Sequence, residues 1–251
     1  MYSTDIDLAA ETILNAKYLV VFTGAGISVE SGIPPFRGAD GLWSKVNPDF
    51  IDLDIFTQNP KYSWPKIKEI FYDFMGDAKP NQAHQILAKL EQKGIVKSIV
   101  TQNIDNLHQD AGSKKVLEFH GTTKTISCIK CDYSVAADKA ELDNLPPYCP
   151  ECGGLLKPDF IFFSESINPK IMTESFEEAV KADVMLVIGT SGDVMPACQM
   201  PIRCKFPNEG IGGTIIEINP SESVFTPSYT DIFLQGKAGD IMSLLGEKLK
   251  I

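Results

Sequence analysis

The sequence predicts an α/β protein: a doubly wound, mostly parallel sheet with helices on both faces, and a second, smaller domain inserted into it. Three observations carry that prediction. Short, wholly apolar runs alternate with stretches of helical period; the first run ends on Gly24-Ala25-Gly26; and two segments, at about 35–79 and 122–157, break the alternation. Buried parallel strands read as continuous apolar runs because helices cover both of their faces.

Taken in order, Leu8, Ala9, Ile13 and Leu14 fall on one face of a helix over 7–16. A strand at 18–22 then runs straight into the glycine turn. Strand, glycine turn and helix start together open a Rossmann-like, dinucleotide-binding βαβ unit. Gly32 stands eight and six residues beyond Gly24 and Gly26, a longer spacing than G-x-G-x-x-G, which weighs against ordinary hydride transfer. A glycine-led helix start still offers backbone N–H groups to a pyrophosphate. Just beyond it, Phe36 and Arg37 are placed to cover a ligand and fix its charge.

A helix over 81–93, with His84, Leu87 and Leu90 on one side, precedes a strand at 96–100. A helix over 170–181 precedes a strand at 184–188, and a strand at 214–218 and a last helix at 240–249 follow. Of the two exceptions, 35–79 is aromatic-rich and irregular (Trp43, Phe50, Phe56, Trp64, Phe71, Tyr72, Phe74), and 122–157 carries four cysteines and a turn at Pro146-Pro147. The expected division is therefore a nucleotide-binding domain of 1–34, 80–121 and 158–251, with the helical insertion 35–79 and the cysteine insertion 122–157 forming the small domain.

Cys128-x2-Cys131 and Cys149-x2-Cys152 are separated by seventeen residues. Two such knuckles bring four thiolates around one tetrahedral Zn²⁺, and four cysteines close the coordination, so the metal is structural. The insertion is then a zinc ribbon. Its residues Asp132, Asp138, Glu141, Asp143 and Glu151 are acidic, which argues against a nucleic-acid surface. Cys198 and Cys204 lack any partner spacing and read as ordinary buried thiols.

Composition excludes several classes. In 251 residues, 23 Lys and Arg against 33 Asp and Glu leave a net charge of −10, the reverse of what phosphate-neutralising proteins carry. Only two of the cations are arginine, Arg37 and Arg203. The strongest apolar runs are strand-sized, far short of a bilayer span, and the acidic start lacks the pattern of an export signal. The expectation is a soluble, cytoplasmic protein.

Gln102, Asn103 and Asp105 follow the strand at 96–100, where doubly wound folds bind ligands, and are suited to hold a ribose and a carboxamide. His120 stands before Gly121 at the edge of the cysteine insertion, and histidine is the side chain best suited to accept a proton near neutral pH. His84 and His108 sit at helix-like positions and read as structural.

Gly-Ala-Gly-x-Ser at 24–28, Gly-Ile-Pro-x-Phe-Arg at 32–37, Thr-Gln-Asn-x-Asp at 101–105, His-Gly at 120–121 and the two CxxC knuckles together resemble the Sir2-like NAD-dependent protein deacylases, the sirtuins. Gly189-Thr190-Ser191, Ile218-Asn219 and Gly236-Lys237-Ala238 match the same pattern in order, so the resemblance runs from about 18 to 245 and is nearest to the bacterial and archaeal members.

The resemblance implies an enzyme that moves the acyl group of a protein lysine onto ADP-ribose, releasing nicotinamide from NAD. His120 is then the general base, Asn103 orients the ribose or a water, and Ile104 with Asp105 binds the nicotinamide carboxamide. Gly24, Ala25, Gly26, Val29, Phe36, Arg37 and Gln102 are expected to line the dinucleotide site, and Gly189, Thr190, Ser191, Asn219 and Ala238 to hold its phosphate, ribose and adenine portion. The acyl-lysine peptide is expected as an added strand between Phe163-Ser164-Glu165 and Gly192-Asp193-Val194. Pro35, Val29 and Ser164 depart from the family pattern; Ser164 replaces the usual glycine, so its side chain is expected close to the peptide backbone. The family's Tyr-x-x-Arg pair for acidic acyl groups has no arginine here between Pro60 and Pro80, which predicts a preference for neutral groups, acetyl first. The competing readings are ADP-ribosyl transfer to protein and a non-catalytic NAD or ADP-ribose sensor; a zinc-ribbon nucleic-acid binder stands third.

Overall fold

The structure, a computed structural model, describes residues 2–36, 38, 41–207 and 209–251. Helix α1 (Tyr2–Asn15) leads into β1 (Leu19–Thr23), followed by a 3-10 turn, Ala25–Ser31. The short helices α2 (Leu42–Lys45), α3 (Leu53–Gln58) and α4 (Pro60–Ile67) come next, then α5 (Gln82–Gln92), β2 (Val96–Thr101), α6 (Leu107–Asp110) and β3 (Val116–Glu118). Strands β4 (Gly121–Cys128), β5 (Ser134–Ala136) and β6 (Leu156–Phe160) precede α7 (Pro169–Lys181), β7 (Val184–Ile188), α8 (Gln199–Lys205), β8 (Thr214–Asn219), β9 (Ile232–Gln235) and α9 (Ala238–Leu249).

Six strands form one parallel sheet in the order β3-β2-β1-β7-β8-β9. The alternation inside β1 decides which residue meets which layer. Leu19 and Val21 pack with Ile13, Ile86, Leu87 and Leu245 of α1, α5 and α9, while Val20 and Phe22 pack with Ala179, Met200 and Cys204 of α7 and α8. The sheet is thus doubly wound, as the sequence predicts. Among the described residues, no helix is long and apolar enough to cross a membrane.

A second sheet, β5-β4-β6, is antiparallel. Its Ile126, Leu156 and Phe160 share a buried core with Phe50, Phe56, Trp64 and Phe71 from the segment before α5. That segment is mostly helical, in keeping with the expected helical insertion, although its composition reads as irregular. Helices α2 and α3 are a turn or two each, and α4 continues into a π-helical stretch, Lys68–Phe74, whose register departs from the α period; Asp52 accepts the Asp54 and Ile55 amides ahead of α3, and Pro60 opens α4. Strands β3 and β9 and helix α8 also went unread, at three, four and seven residues.

Candidate active site

In the large sheet, β1 connects to β2 on one side and lies beside β7 on the other, so the strand order reverses between β1 and β7. Ligands of open α/β sheets bind outside the carboxyl ends of the strands at such a point. A cleft of about 1080 Å³ opens there.

Gly24, Ala25, Gly26 and Val29 line it from the turn after β1, and Phe36 beyond that; Gln102, Asn103 and Ile104 line it from the end of β2. His120 enters from the start of β4, Gly189, Thr190 and Ser191 from β7, Asn219 from β8 and Ala238 from α9. Phe163, Ser164, Glu165, Asp193 and Val194 complete the expected set on the wall. Asp105 and Gly192 do not reach it. Arg37 lies outside the described residues.

The glycines at the turn have a packing cause. Gly26 donates to the Gly189 carbonyl at 2.8 Å, and a Cβ on Gly26 would stand 2.6 Å from the Gly189 Cα. Gly189 itself has φ +64°, and its Cβ would meet the Ile27 nitrogen at 2.3 Å. Backbone therefore packs directly on backbone, which is possible only without side chains.

Next to this turn, a hydrogen-bond chain fixes one carboxamide. Asn103 Nδ2 donates to the Gly24 carbonyl (3.2 Å) and to Ser28 Oγ (3.1 Å), and Ser28 Oγ donates to Asp105 Oδ2 at 2.6 Å. Both acceptors lie on the Nδ2 side, so Asn103 Oδ1 is left buried without a partner among the described residues. An acceptor in that state is expensive unless a ligand or water donates to it. Asp105 acts from behind the wall: its other oxygen accepts the Leu107 amide at 3.0 Å, and burial pushes its carboxyl up while the Ser28 bond draws it down. Sequence reading left Ser28 without a task, although it stands in the quoted glycine motif.

His120 Nδ1–H donates to the Gln102 carbonyl at 3.1 Å. That bond sets the tautomer and leaves the Nε2 lone pair as the ring's basic position. Burial holds the imidazole below its ordinary value, partly offset by the same hydrogen bond. A neutral imidazole on the wall can take a proton from a hydroxyl held beside it.

At the far end, Gln102 Nε2 donates to Thr190 Oγ1 (3.0 Å), and Asn219 Nδ2 donates to the Thr190 carbonyl (2.8 Å), so three strand ends brace one another. Glu30, which sequence reading missed, accepts the Gly239 amide at 2.6 Å and ties the turn after β1 to the start of α9.

On the wall expected to flank the peptide, Ser164 has a partner of its own. Ser164 has φ +67°, a conformation glycine adopts freely, and its hydroxyl donates to Asp52 Oδ2 at 2.9 Å. The Ser164 hydroxyl is thus engaged by Asp52, while the residue still lines the cleft. Gly192, at φ +82°, packs against the Phe225 ring.

Remote from the cleft's polar residues, the four cysteine sulfurs all lie within 4.8 Å of one another, with Cys128 and Cys152 at 3.5 Å and Cys131 and Cys149 at 3.7 Å. Sulfurs about 2.3 Å from a tetrahedral zinc stand about 3.8 Å apart, so the donor set fits that ion. The Lys130 and Gly154 amides donate to Cys128 and Cys152 sulfurs, which favours thiolates. Cys204 is buried as expected, but Cys198 is only partly buried, its Sγ 3.0 Å from Met195 Sδ.

His84 and His108 are structural neighbours, buried with ring centroids 4.9 Å apart. His108 Nε2 lies 3.0 Å from Thr23 Oγ1 and His84 Nδ1 lies 3.1 Å from Asn81 Oδ1.

Fold and site together define a dinucleotide-binding enzyme class with a zinc-stabilised insertion, and comparison with known proteins narrows it. The Sir2 family profile matches residues 24–196, and the chain belongs to that family. It is 42% identical to the NAD-dependent protein deacylase of Pyrococcus furiosus, over 96% of each chain. A Sir2 homologue solved with NAD superposes with TM-score 0.88 at 38% identity, covering 97% of this chain and 94% of that one. A Sir2 protein solved with a deacetylated p53 peptide and 3′-O-acetyl ADP-ribose gives TM-score 0.88 at 32% identity, covering 97% and 98%.

Proposed function

We propose that this chain is a cytoplasmic NAD-dependent protein-lysine deacylase whose substrates are acyl-lysine-bearing proteins. The observation that carries this reading is the pairing, on one cleft wall, of His120 with a free Nε2 and Asn103 with an unpartnered buried oxygen. A sensor has no need for a positioned base, and the Asn103 acceptor suits a ribose hydroxyl or a water. NAD supplies the electrophilic ribose carbon, C1′, from which nicotinamide leaves and onto which the acyl oxygen is joined.

Within the protein, Asn103 holds the ribose or water, and His120 takes the proton from a ribose hydroxyl so that it can attack the acyl carbon. The glycine turn with Val29, Phe36, Arg37 and Gln102 binds the dinucleotide; Ile104, with Asp105 setting the loop, faces the carboxamide; Gly189, Thr190, Ser191, Asn219 and Ala238 hold the adenosine half. Residues 163–165 and 192–194 flank the peptide, at the junction of the two proposed domains, 1–34 with 80–121 and 158–251, and 35–79 with 122–157. Zinc on Cys128, Cys131, Cys149 and Cys152 would hold the small sheet and takes no part in the chemistry.

Neutral acyl groups are the preferred cargo. Among the described residues of the wall, Lys237 is the only lysine or arginine, and it adjoins the adenosine end, whereas Glu30, Glu165, Asp193 and Glu222 are acidic. Acetyl-lysine should therefore turn over faster than succinyl-lysine, and peptides with basic flanks faster than acidic ones.

The test is mass spectrometry of products from the chain, NAD and an acetyl-lysine peptide, beside His120→Ala. Deacetylated peptide, nicotinamide and O-acetyl-ADP-ribose are expected, with the variant about 10²–10⁴-fold slower. A mass gain on protein with the acetyl group intact would move the assignment to ADP-ribosyl transfer.

A further inference from the structure

One buried cation stands under the segment that carries the peptide-facing residues. Lys157, in β6, is only 8% exposed. Its Nζ donates to the Pro158 carbonyl at 2.8 Å and the Phe160 carbonyl at 2.9 Å, and lies 3.0 Å from Glu165 Oε2. The ammonium also sits 4.3 Å from the centroid of the Phe162 ring. Three oxygens thus take its three protons, the condition under which a lysine can be buried without a large cost.

The same Glu165 Oε2 accepts the Phe162 amide at 2.8 Å. Cation and carboxylate therefore tie the end of β6 to the segment that follows it, with the cation's polar partners, Pro158, Phe160 and Glu165, all drawn from 158–165. The neighbouring backbone couples this segment to the chemistry: the Ile161 amide donates to the His120 carbonyl at 2.8 Å, and Phe163 exchanges hydrogen bonds with Ile51 and Leu53. Phe160, Phe162, Phe163 and Ser164 all line the cleft.

We propose that Lys157, acting through Glu165, is a positioning residue for the acyl-lysine substrate: it fixes the 158–165 segment against which the peptide lies and has no part in holding the dinucleotide. The inference rests on the deacylase reading. Because its bonds are local, their loss disorders one wall of the cleft, while the glycine turn and the ends of β2, β7 and β8 keep their geometry.

The experiment compares Lys157→Met, Lys157→Arg and Glu165→Gln with wild type. It uses a fluorescent acetyl-lysine peptide for binding, NAD titration for the cofactor end, steady-state kinetics, and amide exchange across 158–166. In Lys157→Met, peptide Kd and KM should rise about tenfold or more, with NAD Kd within about twofold and the main loss falling in KM. Exchange of the Phe162 amide should quicken while β1 and β7 stay protected. Arginine keeps the charge and should restore most of the peptide affinity. An unchanged peptide Kd, or parallel loss of NAD and peptide binding, overturns the inference. Should Lys157→Met fail to fold, Glu165→Gln must show the same split between peptide and NAD, and a uniform loss there overturns it equally. A wild-type chain that neither binds the peptide nor turns it over overturns the deacylase reading and this inference together; wild-type turnover with an unmoved variant overturns the inference alone.

Discussion

At the Gly24 end of the cleft the wall is backbone packed on backbone, Gly26 against Gly189, with strand ends braced through Gln102, Thr190 and Asn219. At the other end the wall is the end of β6 and the segment after it, 157–165, held by side chains, Lys157 and Glu165 within it and Asp52 outside it. The first arrangement leaves no room for variation, since any added atom meets main chain. The second can change one partner at a time. The cleft thus joins an end closed by main-chain contacts to one held by side chains.

The strongest way to break this comparison is Gly189→Ala. At φ +64° and with its Cβ 2.3 Å from the Ile27 nitrogen, the methyl should cost about 3 kcal/mol through strain and overpacking together. Urea denaturation checks it; a loss below about 1 kcal/mol would mean that the two segments can part easily.

Removing zinc tests the other end. The cysteine sheet and the aromatic core of Phe50, Phe56, Trp64 and Phe71 are continuous, so chelation should lower the melting temperature and weaken peptide binding about tenfold or more, with NAD affinity changed far less. Metal analysis should return one zinc per chain before treatment. Equal loss at both ends would erase the distinction.

A pH series separates the base from the scaffold. Burial lowers the His120 imidazole, so if the proposed role as base holds, activity should persist below pH 6.5 and fall only in more acidic solution. Burial also lowers His84, to about 4, and His108, on which the neighbouring His84 adds its charge. Below about 6.5 the unfolded chain binds these protons and the folded one does not, so their contribution is whole above 6.5 and is lost as pH falls toward 4. Melting temperatures from pH 7.5 to 5 should decline; a flat profile would place the pair in water.

Ser164→Gly should do least. Glycine suits φ +67°, and the lost bond to Asp52 is exposed, so peptide Kd should stay within about twofold. A larger change would make the outer contact as important as Lys157.

Much of this was legible beforehand because it depends on local pattern. The apolar runs at β1, β2, β7 and β8, the glycine turn and the two CxxC knuckles carry their meaning within a few residues. The insertion at 35–79 was legible as helical but its individual helices were not, since α2 and α3 are too short to show a period and α4 passes into a π-helical stretch at 68–74. Strands β3 and β9 were hidden for the same reason: at the sheet's edges, three or four residues suffice. The Ser164 bond to Asp52 was not legible, because sequence gives the residue type, whereas its backbone angle and the nearness of Asp52 decide where the hydroxyl goes.

By itself, the sequence determined the sheet, its layers, the metal-ligand set and the residue types at the cleft, because burial period and ligand spacing are properties of the chain. Only the tertiary structure decided which of those residues meet. Among the described residues the Asn103 oxygen is left unpartnered because Gly24 and Ser28 both approach its other side, Asp105 is held behind the wall by Ser28, and Lys157 is held beneath the 158–165 segment by three oxygens. These are consequences of distance and direction between side chains and backbone brought together by the fold, and spacing along the chain does not encode them.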